Sequence, residues 1–492
     1  MTNDRRRTRL ALAAVLAVAV TAASAVAADE PIAAPELERL GWVIDSFLAR
    51  PDLEGAILGI VVEALSSGEV LFERDADLTM IPASNMKLVT GACALSMLGP
   101  DYRFSTDLLS DGVVGGSTIR GDLYVRGGGD PSLVSEELWK LVEDLRAYGI
   151  DRIEGDVVLD ASRFDSIALA SREAADGDRA YHARIGALSL NFNAVAVHVR
   201  PGERAGDPVV AVLSPDVGFV ALENGGVTGS ARSRSSLTVR RAYEGGRNVV
   251  RVSGRLPAGS PPAAVYRNLE DPLGHFGAAL ARFLEAAGIV IEGAVVAGRT
   301  PPAAVALVRH ESKPLSLIVR DLGKFSNNFV AEMLVKELGA YGSGPPGTTA
   351  AGVRALERFL ASVGADSGGY RVVDGSGLSR SNRLSARTIA RVVRRGLADF
   401  GTSYELAASL SVSGIDGTLE DRMGYPGLAG RVRAKTGLLD GVTAISGILE
   451  TASGEEALFS ILVNGYSCEA WKVHDFEHAI LTSIAGWSRA GG

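Results

Sequence analysis

Cysteine, histidine and lysine are all scarce in this chain. Two cysteines and six histidines among 492 residues leave no framework for a zinc finger or a disulfide-dense scaffold. Lysine supplies only seven of the 50 basic residues, at positions 87, 140, 313, 324, 336, 435 and 472. Arginine is written wherever a bulk cation suffices, so each lysine raises the question of what arginine could not do there. Positive charge is also in deficit. The net charge is −8, and because the first 27 residues carry four arginines and one aspartate, the remainder stands at −11. An acidic body of this kind lacks the basic footprint of sequence-independent nucleic-acid binding. Beyond residue 27 no stretch reaches 18 uninterrupted apolar residues, so the mature chain has no candidate membrane span.

What is present describes a folded protein of two or three domains. Hydrophobic residues make up 47% and charged residues 22%, which excludes disorder for the bulk of the chain. Glycine, at 58 residues, shows no collagen period and fits many tight turns between short strands. Arg5, Arg6, Arg7 and Arg9 precede an apolar run ending at Val20, and the small residues after it end in Ala25-Val26-Ala27. This is the form of a secretory signal peptide over residues 1–27, with cleavage after Ala27. The expected location is the periplasm or the extracellular cell-wall space. An oxidising compartment would permit a Cys93–Cys468 bridge. Cys93, however, lies in a helical apolar pattern, where a buried free thiol is the commoner arrangement.

Both ends of the chain supply hairpins. Residues 56–74 read as strand, Ser66-Ser67-Gly68 turn, strand, and residues 442–449 and 457–463 read as strands about Ser453-Gly454. Residues 315–339, 351–363 and 470–484 carry helical periods. Helices need a sheet on which to bury their apolar stripes. The expectation is therefore one three-layer α/β domain, an antiparallel sheet between helices, built from residues 28–100 and 265–492. Glycine-punctuated strands fill residues 101–264 and predict a β-rich insertion of one or two domains, with Pro261-Pro262 as its return point.

Three short motifs carry chemistry. Pro82-Ala83-Ser84-Asn85-Met86-Lys87 opens a helical period, so Ser84 and Lys87 fall on one face at i and i+3. A serine needs a base to become a nucleophile, and a lysine of lowered pKa can be that base where arginine cannot. Such a pair arises by chance roughly 0.6 times in this composition, but Lys435-Thr436-Gly437 only about 0.1 times. The latter opens a C-terminal strand, where Lys and Thr can hold a carboxylate and Gly lets a ligand approach the backbone. Two Ser-x-Asn triplets stand out. Ser189-Leu190-Asn191 lies in the insertion, whereas Ser326-Asn327-Asn328 lies between two helical patterns of the terminal domain and is the one expected in the site.

Ser-x-x-Lys, Ser-x-Asn and Lys-Thr-Gly in this order resemble the penicillin-binding proteins and serine β-lactamases. With the two serines 242 positions apart, the chain is most similar to the D-alanyl-D-alanine carboxypeptidase/endopeptidase family carrying a large insertion. Gly127-Gly128-Gly129-Asp130-Pro131, Asp374-Gly375-Ser376-Gly377-Leu378-Ser379 and Asp416-Gly417-Thr418-Leu419 add to the likeness. The resemblance implies a transpeptidase-like fold without cofactor or metal, stem peptides of peptidoglycan as substrate, and β-lactams as covalent inhibitors. It implies Ser84 as nucleophile, Lys87 as base with its pKa lowered by Lys435, and Ser326 as proton relay. Asn328 would position Lys87 and the substrate amide. Lys435 and Thr436 would hold the terminal carboxylate, and the N–H groups of Ser84 and of Leu438, after Gly437, would form the oxyanion hole. Asp160, in Leu159-Asp160-Ala161-Ser162-Arg163-Phe164, would reach the site to meet an ammonium group of the substrate; a strand-end Asx turn is the plain alternative.

Other residues have plainer readings. His474 and His478 have a zinc-compatible spacing but fit a solvated helix face, and Glu332 fits a helix salt bridge. A β-lactamase shares the acylation chemistry, though no deacylation motif of that kind is present. A non-catalytic cell-wall-binding module would not need Ser84, Lys87, Ser326 and Lys435 together.

Overall fold

Strands from the two ends of the chain close one sheet in this computed structural model, which describes residues 34–167 and 177–487. The expected signal peptide lies outside the described residues. The sheet runs, edge to edge, Val70–Arg74, Ile57–Ala64, Glu456–Asn464, Val442–Glu450, Val432–Leu439, Ser411–Val412, and every pairing is antiparallel. Alternation along the strands divides the core in two. Ala444, Ile448, Leu458 and Leu462 enter one apolar cluster, while Ile445, Leu449, Phe459 and Ile461 enter the other. Each of the Ile, Leu and Phe side chains contributes about 1.5–3 kcal/mol by leaving water.

The first cluster is covered by helices Met86–Leu98, Leu315–Phe325, Asn328–Ser343, Thr349–Ser362 and Ala386–Ala398. Ala34–Leu48 and Ala470–Ala485 cover the second, with the Phe47 and Phe476 rings stacked 3.5 Å apart. This is the three-layer α/β arrangement, and it puts the start of Met86–Leu98, the break between Leu315–Phe325 and Asn328–Ser343, and the strand Val432–Leu439 side by side.

The inserted sheets continue to Glu311, past the expected return at 264. Pro261-Pro262 is only the approach to strand Ala263–Asn268, which pairs with Ala194–Arg200. Residues 276–287 have a helical period and fall in helix Pro272–Ala286, but its Phe276, Leu280 and Leu284 pack with Leu138, Leu141 and Leu145 of helix Ser135–Ala147. Val295–Ala297 and Val305–Glu311 then flank a five-stranded sheet with Val157–Asp160, Leu123–Gly127 and Ser105–Ser110. A separate apolar cluster joins strands Ala194–Arg200 and Arg247–Ser253, so these strands have a core apart from that of the five-stranded sheet.

Candidate active site

A cleft of about 700 Å³ has Ser84, Ser326, Asn328, Gly377 and Leu438 in its walls. Ser84 occupies a short 3-10 turn, Ala83–Asn85, that feeds helix Met86–Leu98. Asn85 fixes that turn to the sheet by donating to Ser446 Oγ at 2.8 Å. The helix then carries Lys87 beneath Ser84, as the i, i+3 spacing requires.

Lys87 is buried, and its Nζ uses all three donors: to Ser84 Oγ at 3.0 Å, Asn328 Oδ1 at 2.7 Å and the Ser376 carbonyl at 2.6 Å. Burial pulls its pKa down to about 8, against the opposing pull of the Asp374 and Glu332 carboxyls. Lys435 is buried as well; its Nζ donates to Ser326 Oγ at 2.9 Å and to the Thr436 carbonyl at 2.7 Å. Desolvation first, then repulsion from Lys87, holds Lys435 well below the ordinary lysine range. The expected electrostatic coupling of the two lysines is therefore present but weighs on Lys435, while Lys87 is shifted by its burial.

Ser326 caps helix Leu315–Phe325 in a left-handed conformation, φ 55°, and Asn327 caps helix Asn328–Ser343 by accepting from Val330 N. These two caps reverse the chain and bring Ser326 and Asn328 to the same cleft. Thr436 donates to Thr418 Oγ1 at 2.8 Å. Gly437 lies where a Cβ would come within 3.0 Å of Ser84 N, so glycine alone lets the strand pass this close to the serine turn. Leu438 follows at the cleft wall.

Three supporting groups were given no catalytic or binding role by the sequence. Lys324 Nζ donates to both carboxylate oxygens of Asp416, at 2.8 and 2.7 Å, and so ties down the loop carrying Thr418. The signal was the scarcity of lysine itself. Glu332 is not the helix salt-bridge partner it was expected to be. It is buried and accepts from the backbone N–H of Gly375 at 3.1 Å and Ser376 at 2.8 Å. Burial first, and then the neighbouring Asp374, push its pKa well above the ordinary carboxylate range. Asp374, for its part, accepts from Gly377 N, Ser379 N and Asn382 Nδ2. Two buried carboxyls thus hold the turn whose Ser376 carbonyl receives Lys87, so this segment is part of the site's frame.

Asp160 is not brought to the cleft. It is buried at a strand end, and its oxygens accept from Ser162 N at 3.0 Å and Thr300 N at 2.8 Å, which is the Asx turn with a second backbone contact. The segment after it has a different task. Arg163 pairs with Glu337 and Lys336 with Asp165, both on helix Asn328–Ser343 on the catalytic side, and both Glu337 and Lys336 are fully buried. The residues that resemble a substrate-reading segment instead latch the insertion to the helix carrying Asn328. Nor is the helix face at 474–478 simply solvated: Glu477 is buried and paired with Arg422 at 2.8 Å, because that turn packs against the loop at Arg422. Among the described residues no group of His, Cys, Asp and Glu could hold a metal ion. Cys93 and Cys468 are both free thiols.

A buried, readily deprotonated lysine bonded to a serine hydroxyl, beside a second lysine–serine pair, suits attack on a carbonyl and proton delivery to a leaving group. Comparison with known proteins gives the same direction. Residues 41–484 match the model of the D-Ala-D-Ala carboxypeptidase 3 (S13) family. The chain is 36% identical over 479 residues to a D-alanyl-D-alanine carboxypeptidase of Actinomadura sp., covering 94% of this chain and 87% of that one. It is 27% identical to the D-alanyl-D-alanine carboxypeptidase DacB of Haemophilus influenzae, over 84% of this chain and 86% of that one. The crystal structure of penicillin binding protein 4 from Haemophilus influenzae superposes with a TM-score of 0.77 at 25% identity, covering 90% of this chain and 99% of that chain. A second structure of that protein, complexed with a β-lactam, gives a TM-score of 0.73 at 26% identity over the same shares.

Proposed function

Because the chain belongs to the D-Ala-D-Ala carboxypeptidase 3 (S13) family and is a serine D-alanyl-D-alanine carboxypeptidase, we propose that its reaction runs through Ser84 with Lys87 as the base. The observation that carries this assignment is the Lys87 Nζ, buried and bonded at once to Ser84 Oγ and Asn328 Oδ1. Neutral Lys87 takes the Ser84 proton as Oγ attacks the carbonyl between two D-alanines. The N–H groups of Ser84 and Leu438 stabilise the developing oxyanion. Lys435 and Thr436 hold the terminal carboxylate. As the C–N bond breaks, Ser326 hands a proton to the departing amine and is resupplied by Lys435, and the proton that Lys87 took from Ser84 passes to Lys435 in turn, so both lysines return to their starting states. D-Alanine leaves, an ester remains on Ser84, and water hydrolyses it to the shortened peptide and the free hydroxyl.

A β-lactam would follow the same first steps, but its amine stays tethered after ring opening and cannot diffuse away, so the acyl-enzyme persists. The β-lactam complex of the Haemophilus protein supports that reading. Stem peptides of peptidoglycan are the substrate, and they lie outside the cytoplasmic membrane. Export by the N-terminal signal fits that location, and no helix among the described residues is long and apolar enough to cross a membrane.

The test is incubation of the purified mature chain with a pentapeptide stem, followed by mass analysis. Release of free D-alanine with slow nitrocefin turnover is expected; rapid, steady nitrocefin turnover without D-alanine release would make the protein a β-lactamase.

A further inference from the structure

The second Ser-x-Asn triplet, Ser189-Leu190-Asn191, plays no part in this chemistry, yet its chain segment is held in an unusual shape. Asn191, Phe192 and Asn193 are all left-handed, with φ of 51°, 57° and 49°. None is glycine, so the conformation is maintained against its intrinsic preference. Two clamps hold it. Asn191 accepts from Ser135 N at 3.0 Å and donates to Ser135 Oγ at 2.8 Å, and Asn193 donates to the Leu269 carbonyl at 2.9 Å and to the Arg184 carbonyl at 3.1 Å. The result is to present Phe192 edge-on to Phe329, just beyond Asn328, with the ring centroids 6.2 Å apart.

Phe192 forms part of a second cleft, of about 590 Å³, between the insertion and the Ser326-Asn327-Asn328 loop. Tyr181, Tyr266 and Phe325 also line it, and these rings are exposed by 53%, 57% and 73%. Exposed aromatics gathered in one groove mark a binding surface. This groove and the catalytic cleft share Tyr181, Ser326 and Asn328. The catalytic cleft extends from Ser84 past Leu438 toward residues 439–441 and 466–470, whereas the second groove opens from Ser326 past Phe325.

We infer that the second groove is a leaving-side subsite, built to receive a peptide several residues long beyond the scissile bond. The inference rests on Ser326 serving the leaving amine: the chain attached to that amine must then depart on the Ser326 side. A single D-alanine ends before the aromatic rings. The leaving strand of a cross-linked stem peptide continues, and its amide planes and short alkyl side chains can lie on them. The insertion therefore selects substrate by the size of the leaving group, through Phe192 and Tyr266, where Asp160 does not reach.

The experiment compares full-length mature protein, Phe192→Gly and Tyr266→Ala on two substrates, a monomeric pentapeptide and a cross-linked dimer, with benzylpenicillin acylation measured on the same preparations. Glycine suits the left-handed position, so Phe192→Gly removes the ring without adding backbone strain. Each variant should lower kcat/KM on the dimer about tenfold, one aromatic contact's worth, while trimming of the monomer and acylation stay within about twofold. Equal losses on both substrates, or no loss on the dimer, would overturn the subsite. A wild-type protein that trims the monomer but leaves the dimer intact would overturn it too and spare the carboxypeptidase reading. Failure on both substrates would bring down both readings.

Discussion

At Lys87 a side chain that water would keep charged is enclosed by a hydroxyl, an amide oxygen and a carbonyl, with its pKa near 8. The sign of the pH dependence follows. In the proposed mechanism the neutral amine accepts the Ser84 proton, so below about pH 8 the competent fraction falls tenfold per pH unit, and above it the fraction saturates. The second-order rate of benzylpenicillin acylation should therefore rise from about pH 6 and level off above about pH 8. A flat profile across that range would show that Lys87 is not the group whose deprotonation limits the reaction. The residues in the three motifs were legible because each motif binds a chemical requirement to a fixed short spacing. Glu332 was not legible. Its four-residue offset from Asn328 looks like any surface helix pair, and only the fold shows that the carboxyl meets two backbone N–H groups instead of a cation.

Three elements meet at the serine turn with no room for a side chain between them. Ala83 is left-handed at φ 46°, and a Cβ on Gly377, itself at φ 81°, would lie 1.8 Å from the Ala83 carbonyl oxygen. Gly377→Ala should therefore push the 374–377 turn away from the serine turn, dragging the Ser376 carbonyl off Lys87. We expect a loss of about 2 kcal/mol or more in stability and a fall in acylation rate larger than any change in substrate KM. Denaturant titration and stopped-flow acylation check this, and a variant with wild-type values in both would remove the close approach from the account. The sequence pattern placed both hairpins and the closing helix, because alternation and a 3.6 period are local signals. It misplaced the end of the insertion, because the helical period at Pro272–Ala286 does not say which of two sheets it covers.

At the scale of the molecule, the insertion and the catalytic layers are joined by buried charge. Arg163 on the insertion pairs with Glu337, which is 0% exposed and also accepts from Tyr102 at 2.7 Å. Removing one partner of such a pair strands the other, at a cost of about 3–5 kcal/mol. Arg163→Met should lower the unfolding free energy by about that much, read by urea titration; a loss below about 1 kcal/mol would mean that the pair does not fasten the two parts. The proposed reaction comes down to one bond, the ester on Ser84. Its most direct test is intact-mass spectrometry of wild type and Ser84→Ala after incubation with benzylpenicillin, with circular dichroism confirming that both are folded. Wild type should gain the mass of one penicilloyl group, mapped by peptide digestion to the segment containing Ser84, and the variant should gain none. A penicilloyl adduct on folded Ser84→Ala would contradict the account.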